Sequence, residues 1–198
     1  MKPTVLKLGG SLLNVPDLAL RLLALVDQQQ LHPAVVITGG GRLADVVRQY
    51  DDQWGLSADV SHQQAIATMG INAAVLRSLH DRFVDSVTPE SNAVGIPAPD
   101  RLLHDQQDSD DTLLPASWDV TSDSIAAWLA GRLQARQLIL LKSTDPPNDD
   151  LPLSVARLQQ TELVDRWLPL ALRGVRQLMW CNLRNRTPEL VPIEIPAD

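Results

Sequence analysis

Val5-Leu6-Lys7-Leu8-Gly9-Gly10-Ser11 and Ala34-Val35-Val36-Ile37-Thr38-Gly39-Gly40-Gly41-Arg42 decide how this chain folds. Each is a short apolar run that ends in glycines. Continuous apolar runs of this length suit strands buried on both faces. After the first, residues 17–29 carry Leu18, Leu22, Leu25 and Val26 at helical spacing, with Pro16 just ahead. After the second, residues 42–50 place Leu43, Val46 and Val47 on one helical side. A strand, a glycine turn and a helix therefore occur twice in succession. That order predicts an α/β fold: a three-layer αβα sandwich with a mostly parallel central sheet.

The rest of the chain extends the same alternation. Residues 61–80 predict one long helix, with Ala65, Ile66, Met69, Ala73 and Leu76 on its core face. Short strands are expected at 83–87 and 93–96. An exposed loop is expected over 100–111, where five aspartates meet few apolar residues. Residues 121–132 read as a helix capped by Thr121 or Ser122, with Ile125, Ala126, Leu129 and Leu133 as its stripe. A strand over 137–141, a proline-containing loop over 142–152, a short helix over 161–173 and a strand over 177–181 follow. The tail after Thr187 should be extended. No repeat or linker interrupts the pattern, so residues 1–198 are expected to form a single domain.

Composition narrows the function. The 198 residues carry a net charge of -7, and no basic run is present. Nucleic-acid binding rests on neutralising phosphates, so this chain is a poor candidate for it. Its 17 basic residues comprise 14 arginines and three lysines: Lys2, Lys7 and Lys142. Cys181 is the single cysteine, which fits a reducing compartment and predicts a cytoplasmic location. The apolar runs are too short to span a bilayer, and no signal-peptide pattern opens the chain. His32, His62, His80 and His104 are dispersed without metal-ligand spacing, so no metal cage is expected.

A glycine turn between strand and helix lets a ligand approach the backbone, where free amides and the positive helix end favour an anion. Tight structural turns would explain the same glycines equally well. Neither turn matches the GxxxxGK(S/T) loop or the GxGxxG fingerprint. Four segments in order are more specific: Lys7-Leu8-Gly9-Gly10-Ser11, Gly39-Gly40-Gly41, Asp119-Val120-Thr121-Ser122-Asp123-Ser124 and Leu140-Leu141-Lys142-Ser143-Thr144-Asp145. Together they resemble the motif series of the amino acid kinase family, which includes aspartate, glutamate, acetylglutamate and uridylate kinases. Gly41–Asp51, Ser61-His62 and Ala65-Ile66 further resemble a short branch, the aminomethyl-furanmethanol phosphate kinases of methanofuran biosynthesis. Those enzymes extend a phosphate monoester to a diphosphate.

The resemblance implies ATP-dependent phosphoryl transfer to a small, anionic acceptor, with Mg2+ arriving alongside ATP. By that likeness Lys7, Asp123 and Lys142 are catalytic, the aspartate orienting the two lysines. Gly9, Gly10, Ser11, Ser143 and Asp145 would hold the nucleotide. Gly39, Gly40, Gly41, Arg42, His62, Asp119 and Thr121 would line the acceptor site. Arg42 could equally be an exposed helix residue, Asp123 a plain helix-start aspartate and His62 a packing residue. Relatives often form homo-oligomers, and the same is expected here.

Two features depart from the family. Pro146 and Pro147 follow Asp145 where relatives place glycine, which removes amide donors from the nucleotide loop. No lysine follows Lys142, so Arg157, Arg173 or Arg176 would have to supply any further cation. These departures leave open an alternative: a non-catalytic relative that binds an anionic ligand or a protein partner.

Overall fold

Both opening runs form strands at the centre of the sheet, because both of their faces are covered. The computed structural model describes residues 1–86, 92–104, 114–147 and 152–196. All of β1 (Thr4–Leu8) is buried, and it lies between β2 (Ala34–Thr38) and β5 (Gln137–Lys142), parallel to each. With β3 (Phe83–Val84), β4 (Val94–Gly95), β6 (Leu178–Asn182) and β7 (Val191–Ile193), the order is β3-β4-β2-β1-β5-β6-β7. Only the β6–β7 pair is antiparallel. The period of two divides the side chains cleanly. Val5, Ile37, Leu138, Leu140, Leu178 and Trp180 belong to one apolar layer, and Leu6, Leu8, Val36, Ile139, Leu141 and Cys181 to the other.

Helices cover both layers, as expected. Helix α1 (Leu18–Gln28) packs on the second layer, and α5 (Ser122–Arg132) on the first. Helices α2 (Gly41–Trp54) and α3 (Ala58–Arg77) pack against one another near the β2 side. Among the described residues, no helix is long and apolar enough to cross a membrane.

Several boundaries differ from expectation. Helix α3 starts at Ala58 rather than 61, because Ser57 caps it by accepting from the Val60 amide at 3.4 Å. The start of the expected 100–111 loop is helical, in α4 (Pro99–His104), while 105–111 and Val87 lie outside the described residues. Of the helix expected over 161–173 only the short α7 (Leu168–Ala171) forms, and an unexpected helix, α6 (Val155–Gln160), precedes the range. Ser154 caps α6, and Glu162, at a left-handed φ of 54°, prevents its continuation. The tail contributes β7, and Gly10–Asn14 forms a short 3-10 helix directly after β1.

Candidate active site

Parallel strands deliver their carboxyl ends to one side of the sheet, where ligand crevices of such folds form. Lys7 and Lys142, both on the α5 side of the sheet, meet there around Asp123 in the first turn of α5. The Lys142 ammonium donates to Asp123 Oδ2 at 2.8 Å, and Lys7 Nζ lies 2.9 Å from Oδ1. The second contact has the distance of an ion pair but not the angles of a hydrogen bond. Lys142 also donates to the Leu163 carbonyl at 2.7 Å and stands over the Trp180 ring.

Burial governs the charges here. It pushes Asp123 toward neutrality, but Lys142 and Lys7 outweigh it and hold the carboxyl at about 2. Lys142 is lowered to about 8, first by burial and also by Lys7, with Asp123 offsetting part of the shift. Two ammoniums against one carboxylate leave the cluster with a net charge of +1, a preorganised field for an anion.

The two glycine turns touch backbone to backbone beside this cluster. A Cβ on Gly10 would lie 2.4 Å from Gly41 Cα, and Gly41 itself has a φ of 54°. Some amides expected to face a ligand are already committed: Gly9 donates to Leu141 O at 2.9 Å and Gly39 to Leu8 O at 2.8 Å. Free donors remain at the amides of Gly10, Ser11 and Gly41, which sit in first helical turns without an intrahelical partner. Buried Asn72 of α3 fixes the second turn by donating to Gly39 O at 2.8 Å and Gly40 O at 2.9 Å. Gly10→Ala is therefore expected to destabilise the fold by about 1–3 kcal/mol, the usual cost of overpacking. Thermal denaturation checks this, with a midpoint equal to the parent's as the contrary result.

A cavity of about 240 Å³ opens beside the turns, lined by Gly10, Gly40, Gly41, Thr121 and Ser122 with an apolar wall that includes Ile66 and Met69. His62 lines it and is shifted down by burial, which favours the neutral ring. Arg42 is exposed and lies outside the lining. Arg48, one and a half turns later, reaches the cavity instead, stacked over Trp118 with its guanidinium 4.6 Å from the ring centre and bonded to Asp45. Asp119 lines an adjoining hollow that shares His62 and Trp118. Thr121 borders the cavity, but its hydroxyl is spent elsewhere.

The residues expected to hold a nucleotide gather at the ends of β1, β5 and β6. Ser11 Oγ and Ser143 Oγ are 2.9 Å apart, and the Arg184 guanidinium donates to Ser11 O at 3.2 Å. Asp145 accepts from Asn182 at 3.0 Å and Asn185 at 2.8 Å, bonds that hold its carboxyl below the usual range. Arg173 and Arg176 do not join them, since both precede β6 and so lie toward the amino ends of the strands. Among the described residues no cluster of three or more His, Cys, Asp or Glu could hold a metal.

Asp165 is a residue that sequence reasoning missed. It caps α5 from the loop between α6 and α7, accepting from the Thr121 amide at 3.0 Å, the Thr121 hydroxyl at 2.8 Å, the Ser124 amide at 3.0 Å and the Ser124 hydroxyl. The chain separation of 44 residues left no local signal for it.

No family model matches the chain. It is 25% identical over 200 aligned positions to the (5-(aminomethyl)furan-3-yl)methyl phosphate kinase of Methanocaldococcus jannaschii, spanning 94% of this chain and 90% of that one. Among solved structures it superposes on the uridylate kinase of Archaeoglobus fulgidus, with a TM-score of 0.60, 20% identity, and coverage of 98% and 92% of the two chains. The UMP kinase of Ureaplasma parvum gives 0.61, 13%, and coverage of 97% and 98%. The fold is that of the amino acid kinase family, and the resemblance read from the four motifs is borne out.

Proposed function

We propose that this single-domain chain is an ATP-dependent kinase that phosphorylates a small anionic acceptor, a phosphate monoester of the kind named for its Methanocaldococcus relative. The observation that carries the reading is Asp123 held between Lys7 and Lys142 beside two backbone turns with free amides. Phosphoryl transfer needs alignment and positive charge more than covalent chemistry. Lys7, Lys142 and the amides of Gly10 and Ser11 would hold the ATP phosphates, and Arg184, which donates to Ser11 O, would supply a further cation. ATP brings the transferable phosphoryl group. Asp123 and Asp145 are both engaged by protein donors, so Mg2+ would be held by the nucleotide phosphates and water.

The acceptor class follows from the protons. In the transfer the bond between the γ-phosphorus and the ADP oxygen breaks as one to the acceptor oxygen forms. A hydroxyl acceptor must also lose a proton. Asp123, with a pKa of about 2 and two lysines against it, is a poor base. A phosphate monoester, with a second pKa near ~6, arrives already deprotonated. The cavity of about 240 Å³ lies below the roughly 300–1,000 Å³ of drug-sized sites, which fits a small acceptor better than a nucleotide.

The test is a coupled ADP-release assay on small phosphate monoesters, carboxylates and alcohols. Turnover should be greatest with the phosphate monoesters and should fall as pH rises through about 8, where Lys142 loses its proton. Transfer only to alcohols would overturn the acceptor assignment, and ATP binding without transfer to any acceptor would support the non-catalytic alternative. A homo-oligomer is also proposed, supported by Val46, Tyr50 and Trp54 of α2 and Ile71 and Val75 of α3, all exposed apolar side chains.

A further inference from the structure

The segment between α6 and α7 touches the lysine–aspartate cluster at two points. Its Leu163 carbonyl accepts from Lys142 at 2.7 Å. Two residues on, Asp165 receives both backbone and hydroxyl donors from Thr121 and Ser124. Those residues flank Asp123, so one loop grips both partners of the Lys142–Asp123 bond. A further bond, from the Trp167 amide to Asp119 O at 3.2 Å, ties the loop to the segment leading into α5. Thr121 has no side-chain capping bond of its own to α5, so the carboxylate that satisfies this helix start comes from the loop.

We propose that Asp165 is a positioning residue: it locks the 161–167 loop to the first turn of α5 and so sets where the Lys142 ammonium points. The inference rests on the kinase reading only for its effect on turnover. Asp165 also occupies two amides at the start of α5, those of Thr121 and Ser124, that could otherwise attract a phosphate. The phosphates are thereby left to the Gly10 and Gly41 turns and to the two lysines. Around Lys142 the charged groups are Asp123 from α5, Lys7 from β1 and Asp165 from this loop. Of these, Asp165 alone comes from outside the family motifs.

The chain has three lysines, so lysine carrying 13C at Cε gives three resonances that can be followed without any ligand. Lys142→Met and Lys2→Met assign them. Asp165→Asn keeps the shape and one acceptor but removes the charge. The expected result is a displaced Lys142 resonance whose titration moves to lower pH, with Lys2 unchanged, because a negative neighbour has been lost. Turnover should fall about 10- to 100-fold in kcat, the scale of a slightly misplaced catalytic group, with the acceptor KM little altered. Asp165→Glu should restore part of the titration shift. If Asp165→Asn does not fold, Ser124→Ala, which removes one donor to the carboxylate, should still displace the Lys142 resonance. A Lys142 resonance and titration identical to the parent's in the variant that folds would overturn the proposal, whatever the thermal stability does. A parent protein without turnover on any acceptor would sink the kinase reading, while the lysine resonances would still judge the role of Asp165.

Discussion

Lys7→Ala is expected to lower kcat by about 10²–10³, the usual loss when a preorganised donor to developing charge is removed. Lys7 stands at the penultimate position of β1, buried between the sheet and α5, with the adjoining Gly9-Gly10 turn open to a ligand. An ammonium carries three donors and Asp123 faces one side of it, so donors remain available to a phosphate. The change leaves Asp123 paired with Lys142, and the buried cluster becomes neutral instead of positive. The fold should therefore survive, with an unchanged circular dichroism spectrum. Lys2→Met serves as the control, since Lys2 borders a hollow at the amino ends of the strands and should not affect turnover. Lys7→Arg should not rescue, because a longer, planar group cannot occupy a site only 5% exposed without displacing Asp123. Steady-state kinetics decide it: a Lys7→Ala variant with the parent's kcat would show that the phosphates bind elsewhere.

How much of this was legible in the sequence depends on the range of each interaction. β1 and β2 could be read because burial on both faces demands continuous apolar runs, and their glycine ends fixed the turns. Lys7, Asp123 and Lys142 were grouped by the likeness to the family's motifs, and the fold accounts for it, since each adjoins a strand end or helix start that the parallel sheet brings to one side. Gly9 and Gly39 were located correctly, but not the fate of their amides, since a ladder bond to Leu141 or Leu8 depends on strand order. Arg42 sits closest in sequence to the glycine turn, yet helical geometry brings Arg48 to the cavity. Asn72 and Asp165 were invisible because their partners lie 32 and more residues away, and nothing local distinguishes a buried amide or carboxylate from a solvated one. The displacement of the expected 161–173 helix to 155–160 and 168–171 was likewise hidden, since it turns on the Ser154 cap and on Glu162 taking a left-handed conformation.

Asp123→Asn is expected to be the most destabilising single change at the site, and to abolish turnover as well. Asparagine keeps the shape and can still accept from Lys142. It removes the carboxylate that Lys7 and Lys142 share, which leaves two ammoniums buried together. Breaking a buried ion pair from one side typically costs about 3–5 kcal/mol. For a chain of this size that corresponds to a fall in Tm of roughly 6–20 °C. The pH dependence gives the sign. The folded-state pKa of Lys142, already about 8 in the parent, should fall further in the variant. Between that value and the unfolded lysine value near ~10.4, the unfolded chain binds more protons, so stability must rise with pH. Above about 8 the parent gains stability in the same way, so the deficit should shrink between the variant's lower value and about pH 8 and then stay level, leaving it smaller at pH 10 than at pH 7. In the parent, Asp123 acts in the opposite range: its contribution is present above the ordinary carboxyl value and is lost as pH falls through about 2. Adding Lys142→Met to Asp123→Asn should recover much of the lost Tm, because the second buried charge goes with it, while turnover stays absent. That non-additivity is the signature of directly coupled groups. Denaturation of the two single variants and the double variant at pH 7 and pH 10 measures it. An additive result, with the double variant less stable than either single one, would mean that Asp123 stabilises the fold as a helix-start residue and not as the counter-charge of the two lysines.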